Sequence, residues 1–422
     1  MTIALILFAL TYVGLLTFQD KRHWVALASA ALFVILGILP VGNVFGTIDF
    51  NVLMMIAGTM GIVSLFIDSQ MPMLLADLIL AKTPNVKWAV VFLSLFAGVV
   101  SAFVDNVATV LMIAPVAMAI AKRLEINPVP MIISIAVSSN LQGAATLVGD
   151  TTSILLGGYA GMDFMDFFFW QGRPSIFWAV ELGAVLSCVV LLFLFRKEKG
   201  AVESNTRTEV TDYVPTVLLV GVVVLLILAS FIPGKPAITN GLICMTLMVI
   251  GLIYTAIRTK DKELVLKPIK EVDFATLGLL TGLFIVIGGI TEAGVIDAVA
   301  QIFVKLSGDS VFLAYTLIVW ASVGFSAFID NIPYVATMLP VVQGMAVMMG
   351  VEPYVLYFGL LTGATLGGNL TPVGASANIT GIGILRKAGF EVKNSDFLRI
   401  GVPFTLTAVM AGYLFVWFFW GM

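Results

Sequence analysis

Long apolar stretches interrupted by short polar segments set the pattern of this chain. Thr2 to Phe18 and Trp24 to Val41 contain no Lys, Arg, Asp or Glu. An α-helix needs roughly 17–25 apolar residues to cross a bilayer. Ten such stretches predict crossings near 2–19, 24–41, 51–68, 129–160, 174–195, 213–232, 237–257, 274–290, 354–385 and 400–421. One apolar N-terminal stretch would fit a signal peptide. Ten do not, so the first helix is expected to be retained.

Two further apolar stretches do not fit single crossings. Trp88–Ala121 lies between Lys87 and Lys122-Arg123, and Val311–Met349 ends in a loop without a basic residue. Each must enter and return on one side, as a re-entrant hairpin or as a pair of full crossings. The turn chemistry favours re-entry, because the midpoints read Ser-Ala-Phe-x-Asp-Asn rather than a run of solvated turn residues. Segments 70–83 and 291–306 are too short to cross and are expected to lie along the interface as amphipathic arms.

Charge orients the chain, because basic loops stay in the cytoplasm. With both termini outside, the cytoplasmic side holds 19 of the 22 basic residues, and only Arg173, Lys235 and Lys305 fall outside. The basic turn Lys21-Arg22-His23 then reads as a solvated cytoplasmic loop. The polar segments 196–212 and 258–273 are cytoplasmic as well. These features predict a multi-pass protein of the cell (inner) membrane.

Composition narrows the class. The chain is 60% hydrophobic and 11% charged, far below the roughly 25% charged residues of a soluble protein. A net charge of −3 leaves no nucleic-acid footprint. Cys188 and Cys244 each sit inside an apolar helix without a neighbour at metal-ligand spacing, and His23 is the one histidine. An enzyme, and a metal or organic cofactor, are therefore not expected.

The chain also repeats itself. Ser101-Ala102-Phe103-Val104-Asp105-Asn106-Val107 recurs as Ser326-Ala327-Phe328-Ile329-Asp330-Asn331-Ile332, an offset of 225. Pro115 and Pro340, Pro128 and Pro353, and Val148-Gly149 and Val373-Gly374 keep that offset, while Asp49 and Asp273 pair at 224. The expected organisation is a first half over 1–195, a linker over 196–212 and a second half over 213–422. Each half contains five crossings and one hairpin. Five is odd, so the halves are expected to be inverted relative to each other, as in many secondary transporters. The predicted fold class is an all-α polytopic membrane protein of two inverted repeats with broken helices at midplane.

Four segments place polar residues at membrane depth. Two are the hairpin tips, with Ser101, Asp105 and Asn106 in one and Ser326, Asp330 and Asn331 in the other. The third, Ser138 to Ser153, holds Asn140, Asp150, Thr151 and Thr152. The fourth, Gly363 to Asn378, holds Thr365, Asn369, Thr371, Ser376 and Asn378. The last two segments lie inside crossings longer than a straight helix needs. Gly367-Gly368 and Thr371-Pro372 disfavour helix interiors, so both crossings are expected to break. Freed backbone groups must then face protein or water. Ionisable residues at this depth point to function. Asp105, Asp330 and Asp150 have no Lys or Arg in any predicted crossing to pair with, so they suit proton or cation binding. Asp also caps helices well, and both roles can hold together. Na⁺ is expected at Asp105, Asn106, Asp330 and Asn331, with the other named residues completing an ion or substrate site.

At these residues the chain resembles the ion transporter superfamily, which includes the arsenite permease ArsB, the Na⁺/H⁺ antiporter NhaD, the pigmentation P protein and the divalent-anion/Na⁺ symporters. The paired Ser-Ala-Phe-x-Asp-Asn tips, Ser139 to Asp150, and Gly363 to Asn378 carry the likeness. It implies inverted repeats with opposed re-entrant hairpins, a site between hairpin tips and broken helices, and a homodimer. The Asp-Asn tips, Asn140 and Asp150 are similar to the NhaD pattern. The tips carry Asp where dicarboxylate symporters have Ser-Asn-Thr, which points away from Na⁺-dicarboxylate symport.

The sequence therefore predicts an alternating-access secondary transporter in membrane lipid, coupled to H⁺ and/or Na⁺. One reading is exchange of Na⁺ or Li⁺ for H⁺ through Asp105, Asp150 and Asp330. The alternative is a proton-coupled permease or exporter of arsenite or another small anion or oxyacid. A channel or scaffold is a third class, disfavoured by the repeated polar groups.

Overall fold

A computed structural model describes residues 1–198, 200–201, 207–259, 261–308 and 310–422. Lys199 and Lys260, two of the basic residues used for orientation, and residues 202–206 of the linker lie outside the described residues. Among the described residues the chain is predominantly helical, with one short antiparallel strand pair, Phe169–Trp170 against Arg173–Pro174. Seven helices among the described residues are long and apolar enough to cross a membrane.

The expected crossings appear as helices with small shifts at their ends. Thr2–Thr17 and Arg22–Ile35 form the first two, bent by 113° across a short turn. Phe50–Asp68, Ile176–Leu194, Val214–Ser230, Thr239–Thr259, Phe274–Glu292 and Asn394–Val416 account for the other continuous ones. The stretch 88–121 is a helical hairpin, Val86–Ser101 followed by Asn106–Arg123. The stretch 311–349 is another, Val311–Ser326 followed by Asn331–Met349. The short segments form Met71–Leu80 and Val295–Ser307. A helix absent from the sequence reading, Lys262–Lys270, interrupts the polar segment 258–273. It is only nine residues long and carries three Lys and one Glu, so it gives no crossing signal.

The two long polar crossings are broken. Val129–Gly143 stops, residues 144–150 leave the helix, and Thr151–Ala160 resumes. Tyr354–Leu361 runs into a π-helical turn over Thr362–Leu366 and a 3-10 turn over Gly368–Leu370, then Ser376–Lys387 resumes. Side chains and tightly packed glycines hold both breaks. Thr146 Oγ1 donates to the carbonyl of Ala102, and Thr371 Oγ1 donates to the carbonyl of Ala327. A Cβ on Gly149 would lie 2.5 Å from the Gly143 carbonyl and 2.7 Å from that of Ser101. Gly374 meets the carbonyls of Gly368 and Ser326 in the same way. Each of these contacts recurs 225 residues later.

Other devices recur as well. Asp49 caps Phe50–Asp68 through the Val52 amide at 3.0 Å, and Asp273 caps Phe274–Glu292 through the Thr276 amide at 3.0 Å. Those helices end at Gln70 and Gly294, both at positive φ. Gly58 lets Phe50–Asp68 approach the Cys244 backbone of Thr239–Thr259, and Gly282 does the same against Ala26 of Arg22–Ile35. Small residues are what bring helices together in lipid, where water does not drive apolar surfaces into contact.

Candidate functional site

Four helices begin at one place in this fold: Asn106–Arg123, Thr151–Ala160, Asn331–Met349 and Ser376–Lys387. Each follows a hairpin tip or a break in a crossing. A helix start leaves unpaired amides and a partial positive charge. Three starts are covered by carboxylates. Asp105 accepts from the amides of Val107 at 3.0 Å and Ala108 at 3.1 Å. Asp150 accepts from the Thr151 amide at 2.7 Å and from Thr152 Oγ1 at 3.1 Å. Asp330 accepts from the Ile332 amide at 3.0 Å. The fourth start has Ala375 where the repeat offset from Asp150 falls, and no side chain caps it.

These starts border a cavity of about 340 Å³. Asp105, Asn106, Asn140, Asp150, Thr151, Asp330, Asn331 and Ser376 line it. Asp105 and Asp150 also share a small recess with Thr59 and Gly149. The remaining candidates, Ser101, Thr152, Ser326, Thr365, Asn369, Thr371 and Asn378, do not line the larger cavity. Most of them form a hydrogen-bonded layer behind it.

That layer ties the two halves together. The Asn106 side-chain amide donates to Asn140 Oδ1 at 3.1 Å, and Ser139 donates to the Asn106 carbonyl at 3.0 Å. Asn140 in turn donates to the Thr365 carbonyl at 2.8 Å and to Asn369 Oδ1 at 3.1 Å. Thr152 and Thr365 share a hydroxyl bond at 3.0 Å. In the second half, Ser326 donates to Asn331 Oδ1 and to the Ala364 carbonyl, and Ser376 donates to Asp330 at 3.3 Å. Asn378 donates to the carbonyls of Gly368 at 3.3 Å and Thr371 at 3.2 Å. Ser101 Oγ is buried and has no hydrogen-bond partner among the described residues.

One expectation needs correction. Asp330 does have a basic partner, because Arg22 Nη1 pairs with its Oδ2. Arg22 is not in a solvated loop. The turn Gln19–Lys21 precedes it, and Arg22 opens the second helix with its side chain 25% exposed. No motif marks this pair, since 308 residues separate its members. The local signal was only a basic residue beside an apolar run.

The cavity extends to Asp68, Lys267, Glu271 and Asp273. A second cavity, about 980 Å³, is lined by Asp49, Asn51, Tyr159, Thr291 and Glu292. Asp49 and Asp68 flank opposite ends of one helix of 19 residues, a length of about 28 Å and close to a bilayer core. Asp273 and Glu292 stand in the same relation on the second such helix. The two cavities thus lie at opposite ends of the same helix pair.

Known proteins resemble the chain along its length. The citrate transporter family matches residues 5–363. An uncharacterized transporter of Mycobacterium bovis is 30% identical, over 98% of this chain and 97% of its own. A 46 kDa membrane protein of Mycobacterium leprae is 31% identical, over 98% of each chain. The P protein of Sus scrofa is 26% identical over 98% of this chain, which spans 59% of that longer protein. Among solved structures, the YdaH transporter of Alcanivorax borkumensis superposes with a TM-score of 0.63 at 14% identity, covering 92% of this chain and 88% of its own. That likeness speaks to the fold alone. The chain belongs to the citrate transporter family, within the ion transporter superfamily, and is a multi-pass membrane transporter.

Proposed function

We propose that the protein exchanges a small monovalent cation, Na⁺ or Li⁺, for protons by alternating access, with Asp105 and Asp150 as the shared binding carboxylates. The carrying observation is their placement: both line one cavity, and no basic side chain is bonded to either among the described residues. The cavity wall holds six acidic residues, Asp68, Asp105, Asp150, Glu271, Asp273 and Asp330, against Arg22 and Lys267. Both bases are already paired, Lys267 with Asp68 at 2.6 Å and Arg22 with Asp330. Such a lining draws cations and repels anions. Asn106, Asn140 and Thr151 supply neutral oxygens beside the carboxylates.

On this reading the halves are inverted repeats and the hairpins re-entrant. The basic-loop bias puts the Lys267 end in the cytoplasm, so the smaller cavity is the inward-facing access path. The contacts repeated at 225 residues support the duplication.

A concentration-dependent rise in melting temperature with NaCl or LiCl, compared with choline chloride, tests the binding step. Asp150→Asn is expected to abolish the shift. A wild-type protein that melts identically in all three salts contradicts the reading.

One observation favours a second reading, proton-coupled transport of a small anion such as a carboxylate. Ala375 leaves the backbone amides at the start of Ser376–Lys387 without a capping side chain, beside the cavity, and the matching family is named for citrate. A melting shift with citrate, and none with Na⁺ or Li⁺, would select it.

A further inference from the structure

The two hairpin tips carry the same Ser-Ala-Phe-x-Asp-Asn motif but meet different surroundings. Asp105 and Asp330 occupy equivalent positions, and each caps the helix behind it. Asp330 alone is bonded to a guanidinium. Arg22 comes from the start of Arg22–Ile35, and that helix is fixed against Phe274–Glu292 by the close approach of Gly282 to the Ala26 backbone. The position that packs equivalently in the other half is Cys244 against Gly58. Counting four residues back from Ala26 and from Cys244 sets Arg22 against Asn240. Asn240 is uncharged, and its side-chain amide donates to Asp163 at 3.3 Å rather than to Asp105. Among the described residues, one tip therefore has a fixed cation and the other has none.

We propose that Arg22 is a tethered counter-ion that holds Asp330 out of the exchange, so that it sets how many protons move with each transported cation. This rests on the cation/proton exchange reading above. A guanidinium stays protonated at any working pH and fits a carboxylate in a fixed geometry. While it is bonded to Asp330, that carboxylate has no need of a mobile cation or proton. Asp105 and Asp150 have no such partner among the described residues and stay available. Apart from Lys267, the other charged groups that line the cavity with Arg22 and Asp330 are Asp68, Asp105, Asp150, Glu271 and Asp273, all acidic, and they cannot replace it. Lys267 is held by Asp68 at 2.6 Å. Tyr12 reinforces the tether, donating to the Pro333 carbonyl at 2.9 Å and to Thr337 at 2.6 Å, so the first two helices grip the second hairpin at two levels.

Removing the guanidinium frees one carboxylate. The full-length protein, reconstituted in liposomes, is assayed for protons moved per Na⁺ from the membrane voltage at which net flux reverses. Arg22→Gln is expected to move one proton more per cation than the wild type. Arg22→Gln with Asp330→Asn removes the freed carboxylate and is expected to return the ratio to the wild-type value. Arg22→Lys, which keeps a cation, is expected to hold it. If Arg22→Gln is inactive, recovery of exchange in the double variant supports the counter-ion role, because only the unneutralised Asp330 differs. An unchanged ratio in Arg22→Gln, or inactivity of both the single and the double variant, overturns it. A wild-type protein that exchanges no Na⁺ for protons fails the underlying reading instead, and that outcome is visible before any variant is compared.

Discussion

Asn140 and Asn369, one from each half of the chain, are bonded side chain to side chain at 3.1 Å, and both are fully buried. Asn369 also donates to the Val137 carbonyl at 2.8 Å, while Asn140 reaches the Thr365 carbonyl at 2.8 Å. The broken crossings are thus joined at their breaks, which is where the cavity needs a fixed floor. Asn140→Ala leaves buried partners unsatisfied and is expected to cost about 1–3 kcal/mol. Because the two residues share bonds, Asn140→Ala with Asn369→Ala is expected to cost less than the sum of the single changes. Thermal melting in detergent checks both. Simple additivity would mean that the pair does not act as a unit.

The glycines of the breaks make a sharper structural prediction. A methyl on Gly149 or Gly374 would press on three backbone carbonyls at once. Gly149→Ala and Gly374→Ala are each expected to destabilise by about 1–3 kcal/mol through overpacking. Gly383, in the helix Ser376–Lys387, has nothing within 4 Å of a built Cβ. Gly383→Ala is expected to be neutral or to stabilise by up to about 1 kcal/mol through helix propensity. Melting curves for the three variants provide the comparison, and equal effects would contradict the packing account.

Asp49 has a capping role separable from the cavity around Asp105 and Asp150. Its Oδ1 takes the Val52 amide at 3.0 Å. Asp49→Ala is expected to cost about 1 kcal/mol, and Asp49→Asn much less, since an amide oxygen caps nearly as well. If Asp49→Asn costs as much as Asp49→Ala, the charge rather than the cap is what the site uses.

The two cavities predict opposite accessibility. In a background of Cys188→Ala and Cys244→Ala, Ile67→Cys lines the smaller cavity and Thr291→Cys the larger. A membrane-impermeant thiol reagent is expected to label Ile67→Cys from the cytoplasmic face and Thr291→Cys from the opposite face. Labelling of both from one face would contradict the proposed threading.

Much of this was legible because membrane folding is written in local terms. An apolar run long enough to cross becomes a helix, since its backbone groups find no other partners in lipid. Both breaks were signalled by polar residues inside crossings longer than a straight helix needs, the second also by Gly367-Gly368 and Thr371-Pro372, and the tips by Asp-Asn, a strong helix start. The repeat then showed which polar segments belong together. Arg22 was not legible, because its partner is chosen by how helix Arg22–Ile35 docks on Phe274–Glu292. Sequence periodicity says nothing about that docking. Lys262–Lys270 was missed for a different reason: a nine-residue charged helix lacks the long apolar run that marks the crossings. The division between cavity-lining residues such as Asp150 and supporting ones such as Thr152 also came only from the fold, since the two side chains are bonded to each other and only one of them reaches the cavity.

Proton movement in liposomes tests the central claim most directly. The protein is reconstituted with a pH-sensitive dye inside, and Na⁺, Li⁺ or a small carboxylate is added outside. The account predicts that Na⁺ or Li⁺ drives proton movement, and that Asp105→Asn and Asp150→Asn each abolish it. Silence toward both cations, with proton movement on adding the carboxylate, would contradict cation exchange and assign Asp105 and Asp150 to proton coupling alone.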